Sequence, residues 1–121
     1  MNKNFVKVNP TEIYNTSFHN GCIKASAKDL TKVLGRCELY NDDKTLREWD
    51  RKISDISFTV YDIDEEPRPK ATDIIEYHIG THSSEDTEVI VKILCAYGLN
   101  AYIKKSYFDS YVDSITNVIK K

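Results

Sequence analysis

The sequence has little of the residues that break a chain or cross-link it. Among its 121 residues are four glycines and three prolines, far fewer than disordered or collagen-like chains contain, so both classes are excluded. The three cysteines are an odd number without a C-x-x-C pair, which fits neither a disulfide framework nor a zinc site. We expect Cys22, Cys37 and Cys95 to be reduced and mostly buried, as free cysteines usually are.

An excess of charge of one sign is also lacking. Seventeen Lys and Arg against 19 Asp and Glu give a net charge of −2, which provides no cationic field for DNA, RNA or anionic lipid. No apolar run approaches the ~20 residues of a membrane span, and no apolar segment of ~7–15 residues follows the N-terminal lysines as in a secretory signal. We therefore expect a cytoplasmic protein without nucleic-acid or membrane partners.

What the chain does contain is the composition of one globular domain. Hydrophobic residues make up 40% and charged residues 30%, and the length lies within the ~100–150 residues of a typical domain. We expect residues 1–121 to form a single domain. Its fold class is predicted to be α+β: one antiparallel sheet of about four to five strands packed against two helices, with an additional C-terminal helix.

Strands are predicted from β-branched and aromatic runs with a period of two. Two such runs flank the turn-prone Ser54-Asp55 and predict a β-hairpin. A later run, with Gly80 near its end, should pair antiparallel with the hairpin across a loop that contains two prolines. The predicted strands are 21–26, 44–53, 56–63, 73–81 and a short edge strand within 100–105.

Two capping signatures predict where helices begin. Ser26 followed by Asp29 opens a helix that should end at Gly35, and Ser83 followed by Asp86 opens a second that should end at Gly98. A third helix, the C-terminal extension over 106–121, has a wide apolar stripe. We expect this stripe to complete the core; the alternative is an oligomerisation face.

Signals for catalysis and metal binding are weak. His78 and His82 would lie roughly 13 Å apart on a strand, too far to share a zinc ion. Only His82 begins an H-x-[S/T] element, although a two-histidine phosphodiesterase needs two, and nothing places a base beside a cysteine. The acids of 62–66 are typical of a solvated loop. We therefore expect no cofactor, no metal and no catalytic residue.

Binding chemistry is better represented. Eight tyrosines, four phenylalanines and Trp49 offer flat faces for stacking a base, and nearby basic side chains offer contacts to phosphate. Simpler interpretations are favoured for two of these residues: Trp49 as a buried aromatic covered by arginine stems, and His78 as a hydrogen-bonded residue of the sheet. The basic residues considered for this role, which lie near aromatic ones in the sequence, are Arg47, Arg51, Arg68 and Lys70.

The order of short motifs resembles a family of small proteins from bacteriophages and large DNA viruses that read EW, TIYDW and WHIGG. The matching segments here are 48–49, 59–63 and 77–81, with Tyr77 and Ile63 in place of Trp and Thr81 in place of Gly. Within this group the chain resembles the first class of Thoeris anti-defence proteins. These are binding proteins that capture a cyclic ADP-ribose signal without cleaving it.

The resemblance implies a homo-oligomer in the host cytoplasm whose partner is a small cyclic nucleotide signal. Stacking on aromatic rings and clamping of the diphosphate by basic groups would supply the affinity. The expected ligand contacts are Arg51, Tyr61, Arg68, His78, Asn100, Tyr102 and Lys104, chosen at strand ends and loops beside the shared motifs.

Two other functions remain open from the residues. The acidic segment 62–66 and the C-terminal stripe would suit a viral protein that inhibits a host defence enzyme by direct contact, as anti-CRISPR proteins do. His78 or His82 would suit a small phosphoesterase that degrades a cyclic nucleotide signal.

Overall fold

A computed structural model describes residues 4–39, 47–62, 69–105 and 107–119. These residues build seven strands, three α-helices and one short 3-10 turn, Pro10–Ile13. The strands are β1 (Val6–Lys7), β2 (Ser17–Ser26), β3 (Glu38–Leu39), β4 (Arg47–Ile53), β5 (Ile56–Tyr61), β6 (Ile74–Thr81) and β7 (Asn100–Ile103). The helices are α1 (Ala27–Leu34), α2 (Ser84–Ala96) and α3 (Tyr107–Ile119).

All seven strands belong to one antiparallel sheet, so the predicted α+β fold is confirmed. The strand order is β1-β4-β5-β6-β2-β7, and β3 pairs with β4 outside this path. The hairpin turns at Ser54, which has a φ of 54°, and β7 lies at the sheet edge as expected. The strand count is higher than predicted because β1 and β3 are two residues long and too short to show a period of two.

Helices α1 and α2 begin where the capping signatures predict. The side chains of Ser26 and Ser83 accept hydrogen bonds from the backbone N–H of Asp29 and Asp86, each at 3.1 Å. Gly35 and Gly98 have φ of 85° and 90°, which is the left-handed conformation that lets a helix end. Both helices pack on one face of the sheet, where their apolar residues join the core.

The core lies between that sheet face and the two helices. Trp49 is fully buried there, and its indole N–H donates a hydrogen bond of 2.8 Å to the carbonyl of Gly35. The core also includes Ile23, Leu30, Leu34, Phe58, Val60, Tyr77, Ile79, Ile90 and Leu94. Because the core uses one face only, the other face is available for polar and aromatic side chains.

The apolar stripe of α3 does not complete the core, so that expectation is wrong for the residues whose side chains are described, 111–119. Val118 and Ile119 are 71% and 77% exposed, and Tyr111 is 57% exposed.

Among the described helices, none is long and apolar enough to cross a membrane.

The cysteines are unpaired, but only partly as expected in burial. Cys22 is buried, Cys37 is half-buried and Cys95 is exposed. The expectation of burial is wrong for Cys95, which is exposed on α2 and whose thiol donates a hydrogen bond to the carbonyl of Ala101 at 3.1 Å.

A candidate binding site on the polar face of the sheet

One row of side chains crosses five strands on the sheet face opposite α1 and α2, which we call the polar face. Strand register sets the row, because residues directly opposite one another in antiparallel strands point to the same side. The successive pairs are Glu48 with Tyr61, Tyr61 with His78, His78 with Cys22, and Cys22 with Tyr102. Residues from distant parts of the chain are thereby brought side by side.

His78 lies at the centre of this row between two aromatic rings. The ring of Phe18 stacks on the imidazole with centroids 4.1 Å apart, and the ring of Tyr61 meets it edge-on at 5.9 Å. A β-bulge between Phe18 and Gly21, where Asn20 has a φ of 68°, shifts the register beside this stack. Burial lowers the pKa of His78 below its ordinary value, so the imidazole is neutral near pH 7.

Glu76 is the acidic centre of the polar face. Its carboxylate accepts hydrogen bonds from the hydroxyl of Tyr102 and, at 3.2 Å, from the ammonium of Lys104. Its Oε1 lies 4.0 Å from Nε2 of His78. The bond from Tyr102 is the main reason that the pKa of Glu76 is lowered, so Glu76 is ionised across the neutral range.

Cys22 lies beneath these groups and is fully buried. Burial, together with the nearby charge of Glu76, raises the pKa of its thiol to about 11. A thiol with such a pKa is protonated at pH 7 and is a poor nucleophile.

A groove of about 440 Å³ lies at the end of β2 beside α1 and α2. Lys24, Lys32 and Asn100 contribute polar groups to its wall, and Asp29 contributes a carboxylate. Lys24 lies directly opposite Glu76 on β6 and Asn100 on β7 in the strand register. It therefore connects the groove to the polar face. The volume falls within the ~300–1,000 Å³ of small-molecule sites.

Five of the seven predicted contact residues lie on the polar face. Asn100, Tyr102 and Lys104 follow the alternation of β7 and the residue after it, with Asn100 and Tyr102 opposite Lys24 and Cys22. Tyr61 and His78 belong to the row itself. Arg68 lies outside the described residues.

Arg51 is the exception. The prediction that it contacts a ligand phosphate is wrong, because Arg51 lies on the core side of the sheet and is not accessible to a phosphate. Its side chain is fully buried, and its guanidinium donates to the carbonyls of Leu34 and Arg36 at 2.7 Å each and to Glu38 at 2.9 Å. Arg51 thus closes the end of α1 and has no place in the candidate site.

Two other groups that were considered for catalysis, His82 and Asp62, are not members of the row. His82 is separate from His78: its Nε2 lies 3.1 Å from the carbonyl of Glu12. Asp62 was expected in a solvated acidic loop, but it is 2% exposed and its carboxylate accepts from the N–H of Arg47 at 3.3 Å. The remaining acids of that segment lie outside the described residues.

Three residues of the site were missed by sequence reasoning: Phe18, Cys22 and Glu76. Phe18 precedes the bulge, and the sequence interpretation began the strand after it. Cys22 and Glu76 occupy alternating positions of two predicted strands, but their proximity depends on which strands pair. Once the pairing of β2 with β6 is known, alternation places Cys22 and Glu76 on the face that bears His78. Phe18 lies beyond the bulge and is placed there by its pairing with Gly80.

Comparison of the chain with protein-family models, with curated proteins and with solved structures finds no match. Residues 48–49, 59–61 and 77–81 of the three motif segments lie on the neighbouring strands β4, β5 and β6; Ile63 lies outside the described residues. Their residues Glu48, Tyr61 and His78 are successive members of the row.

Proposed function

We propose that this chain is a viral anti-defence binding protein that sequesters a cyclic nucleotide immune signal, an isomer of cyclic ADP-ribose, without cleaving it. The observation that carries the proposal is the convergence of Tyr61, His78, Asn100, Tyr102 and Lys104 on one sheet face. They come from three separate segments and offer the chemistry that a nucleotide needs. The identity of the signal comes from the motif resemblance.

Each part of the signal has a matching group on the polar face. Tyr61 and Phe18, whose rings flank His78, provide aromatic surface on which a base can stack, an interaction worth ~1–3 kcal/mol per base. The side chain of Lys104 is 56% exposed. Its ammonium can therefore leave the ion pair with Glu76 and bind a phosphate group of the ligand. Asn100 and Lys24 extend these contacts into the groove.

Capture without turnover requires slow release, which burial of the ligand provides. The polar face is the surface of a sheet, so a second copy of the chain laid against it would enclose the ligand. The exposed apolar residues of α3 provide a means of association, because Tyr111, Ile115 and Val118 recur at the i, i+4, i+7 spacing of one helical stripe. We infer a homo-oligomer that acts in the host cytoplasm.

A capture-and-release experiment tests the proposal. The full chain is incubated with cyclic ADP-ribose isomers and cyclic dinucleotides, separated from free ligand, heat-denatured and analysed by chromatography. Intact nucleotide that is released only on denaturation is the expected result. A chemically altered nucleotide would indicate an enzyme and overturn the proposal.

Nucleotides that all remain free throughout would also overturn it. Inhibition of a host enzyme by direct contact would then be the better explanation, and the exposed stripe of α3 would be the surface to examine.

A further inference from the structure

Three side chains of the polar face bring different metal-binding atoms together. Sγ of Cys22, a carboxylate oxygen of Glu76 and a ring nitrogen of His78 all lie within 4.8 Å of one another. Cys22 and His78 are directly opposite on β2 and β6, and Glu76 is two positions before His78 on the same face. The cluster therefore follows from the strand register.

We propose that Cys22, Glu76 and His78 form a binding site for one zinc-class divalent ion. A sulfur, a nitrogen and an oxygen donor together suit Zn²⁺, whereas Mg²⁺ and Ca²⁺ prefer oxygen ligands. Around tetrahedral zinc, with bonds of ~2.0–2.3 Å, ligand atoms lie roughly 3.5 Å apart. Side-chain rotations that close the cluster by about 1 Å are enough to reach that geometry.

The surrounding groups hold two of these ligands in place. The hydroxyl of Tyr102 and the ammonium of Lys104 bind the carboxylate of Glu76, leaving lone pairs of its oxygens for a metal. Phe18 stacks on the flat face of the His78 ring and does not block the acceptor nitrogen of the neutral imidazole, because its lone pair lies in the ring plane. Such outer contacts orient metal ligands and strengthen the site.

The charges and the exposure of the cluster also fit a divalent ion. Binding replaces the thiol proton of Cys22, which is released to solvent, so the thiolate and the carboxylate together balance two positive charges. Cys22 is buried, while the side chains of His78 and Glu76 are 21% and 27% exposed, so an ion can enter from the solvent side. Three protein ligands leave a fourth position open, as in zinc sites that bind an exogenous group.

This site goes beyond the proposed function, because metal binding requires no nucleotide and can be measured without one. The spacing of residues in the sequence does not reveal this metal site, because Cys22 and His78 lie on separate strands. The one pair of histidines that the sequence suggested as metal ligands was His78 and His82. His82 lies away from this cluster, with Nε2 of its ring 3.1 Å from the carbonyl of Glu12.

The test is a titration of the reduced, chelator-treated full chain with Co²⁺, a spectroscopic substitute for zinc. We expect saturation at one ion per chain, the visible bands of tetrahedral cobalt and a thiolate-to-cobalt charge-transfer band, all abolished by added Zn²⁺. Cys22→Ser and His78→Gln should weaken binding ~100-fold or more, since loss of an outer contact alone costs ~10–100-fold. The control variants Cys95→Ser and His82→Gln should bind as the wild type does.

Circular dichroism of the metal-free variants checks that each is folded. If Cys22→Ser does not fold, Glu76→Gln replaces it, because Glu76 is partly exposed and contributes little to the core. Zn²⁺ should also raise the melting temperature of the wild type but not that of a folded ligand variant. Failure to saturate, a charge-transfer band that survives in Cys22→Ser, or equal loss of binding in Cys95→Ser would overturn the proposal.

Discussion

Cys22 on β2 and His78 on β6 are cross-strand partners, directly opposite one another on the polar face. This pairing places a buried thiol beside a partly exposed imidazole and aligns Tyr61 and Tyr102 on either side of them. The centre of the candidate site, where Cys22, Glu76 and His78 meet, depends on that one register. A shift of a single residue would turn the site toward the core.

His78 should make the stability of the protein depend on pH in a defined window. Burial lowers its pKa from 6.5, so between the lowered value and 6.5 the unfolded chain binds more protons than the folded one. The free energy of unfolding should therefore rise with pH through this window and fall as the pH drops through it. Urea unfolding from about pH 5 to about pH 7 should show a flatter dependence for His78→Gln.

His82→Gln is the matched control and should keep the wild-type slope. An identical pH dependence of wild type and His78→Gln would show that burial does not lower the pKa of His78.

Arg51 should be a stabilising residue and not a ligand contact. Arg51→Met removes the fully buried guanidinium that donates to Glu38 and to the carbonyls of Leu34 and Arg36. Because Glu38 is 29% exposed and keeps the N–H of Asp50 as a donor, we expect a cost of ~2–3 kcal/mol, below the ~3–5 kcal/mol of a pair that is buried on both sides. The adjacent Lys52, whose ion pair with Glu12 is on the surface, is the control: Lys52→Met should cost less than ~1 kcal/mol. Urea unfolding measures both, and equal stability of the two variants would contradict the assignment.

Gly21 should be required by the close approach of α2 to β2. A Cβ at this position would lie 2.5 Å from Cγ2 of Thr87, and overpacking of this kind costs ~1–3 kcal/mol. Thr87→Ser removes that methyl group but keeps the hydroxyl, which lies 2.6 Å from the hydroxyl of Thr81. The double variant Gly21→Ala/Thr87→Ser should recover most of the stability lost in Gly21→Ala, as measured by thermal unfolding.

No recovery in the double variant would mean that the cost does not arise from the contact with Thr87 and would point to the next contact of the added Cβ, which is with Cβ of Ile79 at 3.3 Å. Gly98→Ala is a useful comparison, because it has a φ of 90° but no atom within 4 Å of the added Cβ. The loss of stability caused by Gly98→Ala should therefore be the same with and without Thr87→Ser.

The exposed stripe of α3 should mediate self-association. Ile115→Glu/Val118→Glu introduces charges into the apolar stripe and should convert an oligomer into a monomer. The monomer should keep the circular dichroism spectrum of a folded chain, since these residues are outside the core. Asn117→Glu changes the opposite side of the helix and should leave assembly intact. Sedimentation analysis distinguishes these results, and a monomeric wild type would refute the role of α3.

Much of the fold could be predicted from the sequence because its signals are local. The caps at Ser26 and Ser83, the glycines that end α1 and α2, and the alternation in β5 depend on nearby residues, and the structure confirms them. The fate of the α3 stripe could not be predicted, because an apolar pattern shows that a face requires a partner but not whether the partner is in the same chain.

The candidate site was only partly predictable for a related reason. Tyr61 and His78 stood out within recognisable motifs, but the inclusion of Cys22, Glu76 and Phe18 depends on strand pairing, which is not a local property. Arg51 was misassigned although alternation puts it on the same face as Trp49, because a long basic side chain on a core face usually carries its charged end out to solvent. The full burial of its guanidinium among carbonyls at the end of α1 is a tertiary arrangement.

The central claim is that the polar face binds a nucleotide, and equilibrium dialysis against the cyclic ADP-ribose isomer retained by the wild type tests it most directly. The dissociation constant should increase roughly tenfold or more in Lys104→Gln and in Tyr61→Leu, since a charged hydrogen bond or a stacked base contributes ~1–3 kcal/mol. The controls Lys92→Gln and Tyr14→Leu, both exposed and outside this face, should bind as tightly as the wild type. Equal affinity of all five proteins, or no binding by the wild type, would contradict the account.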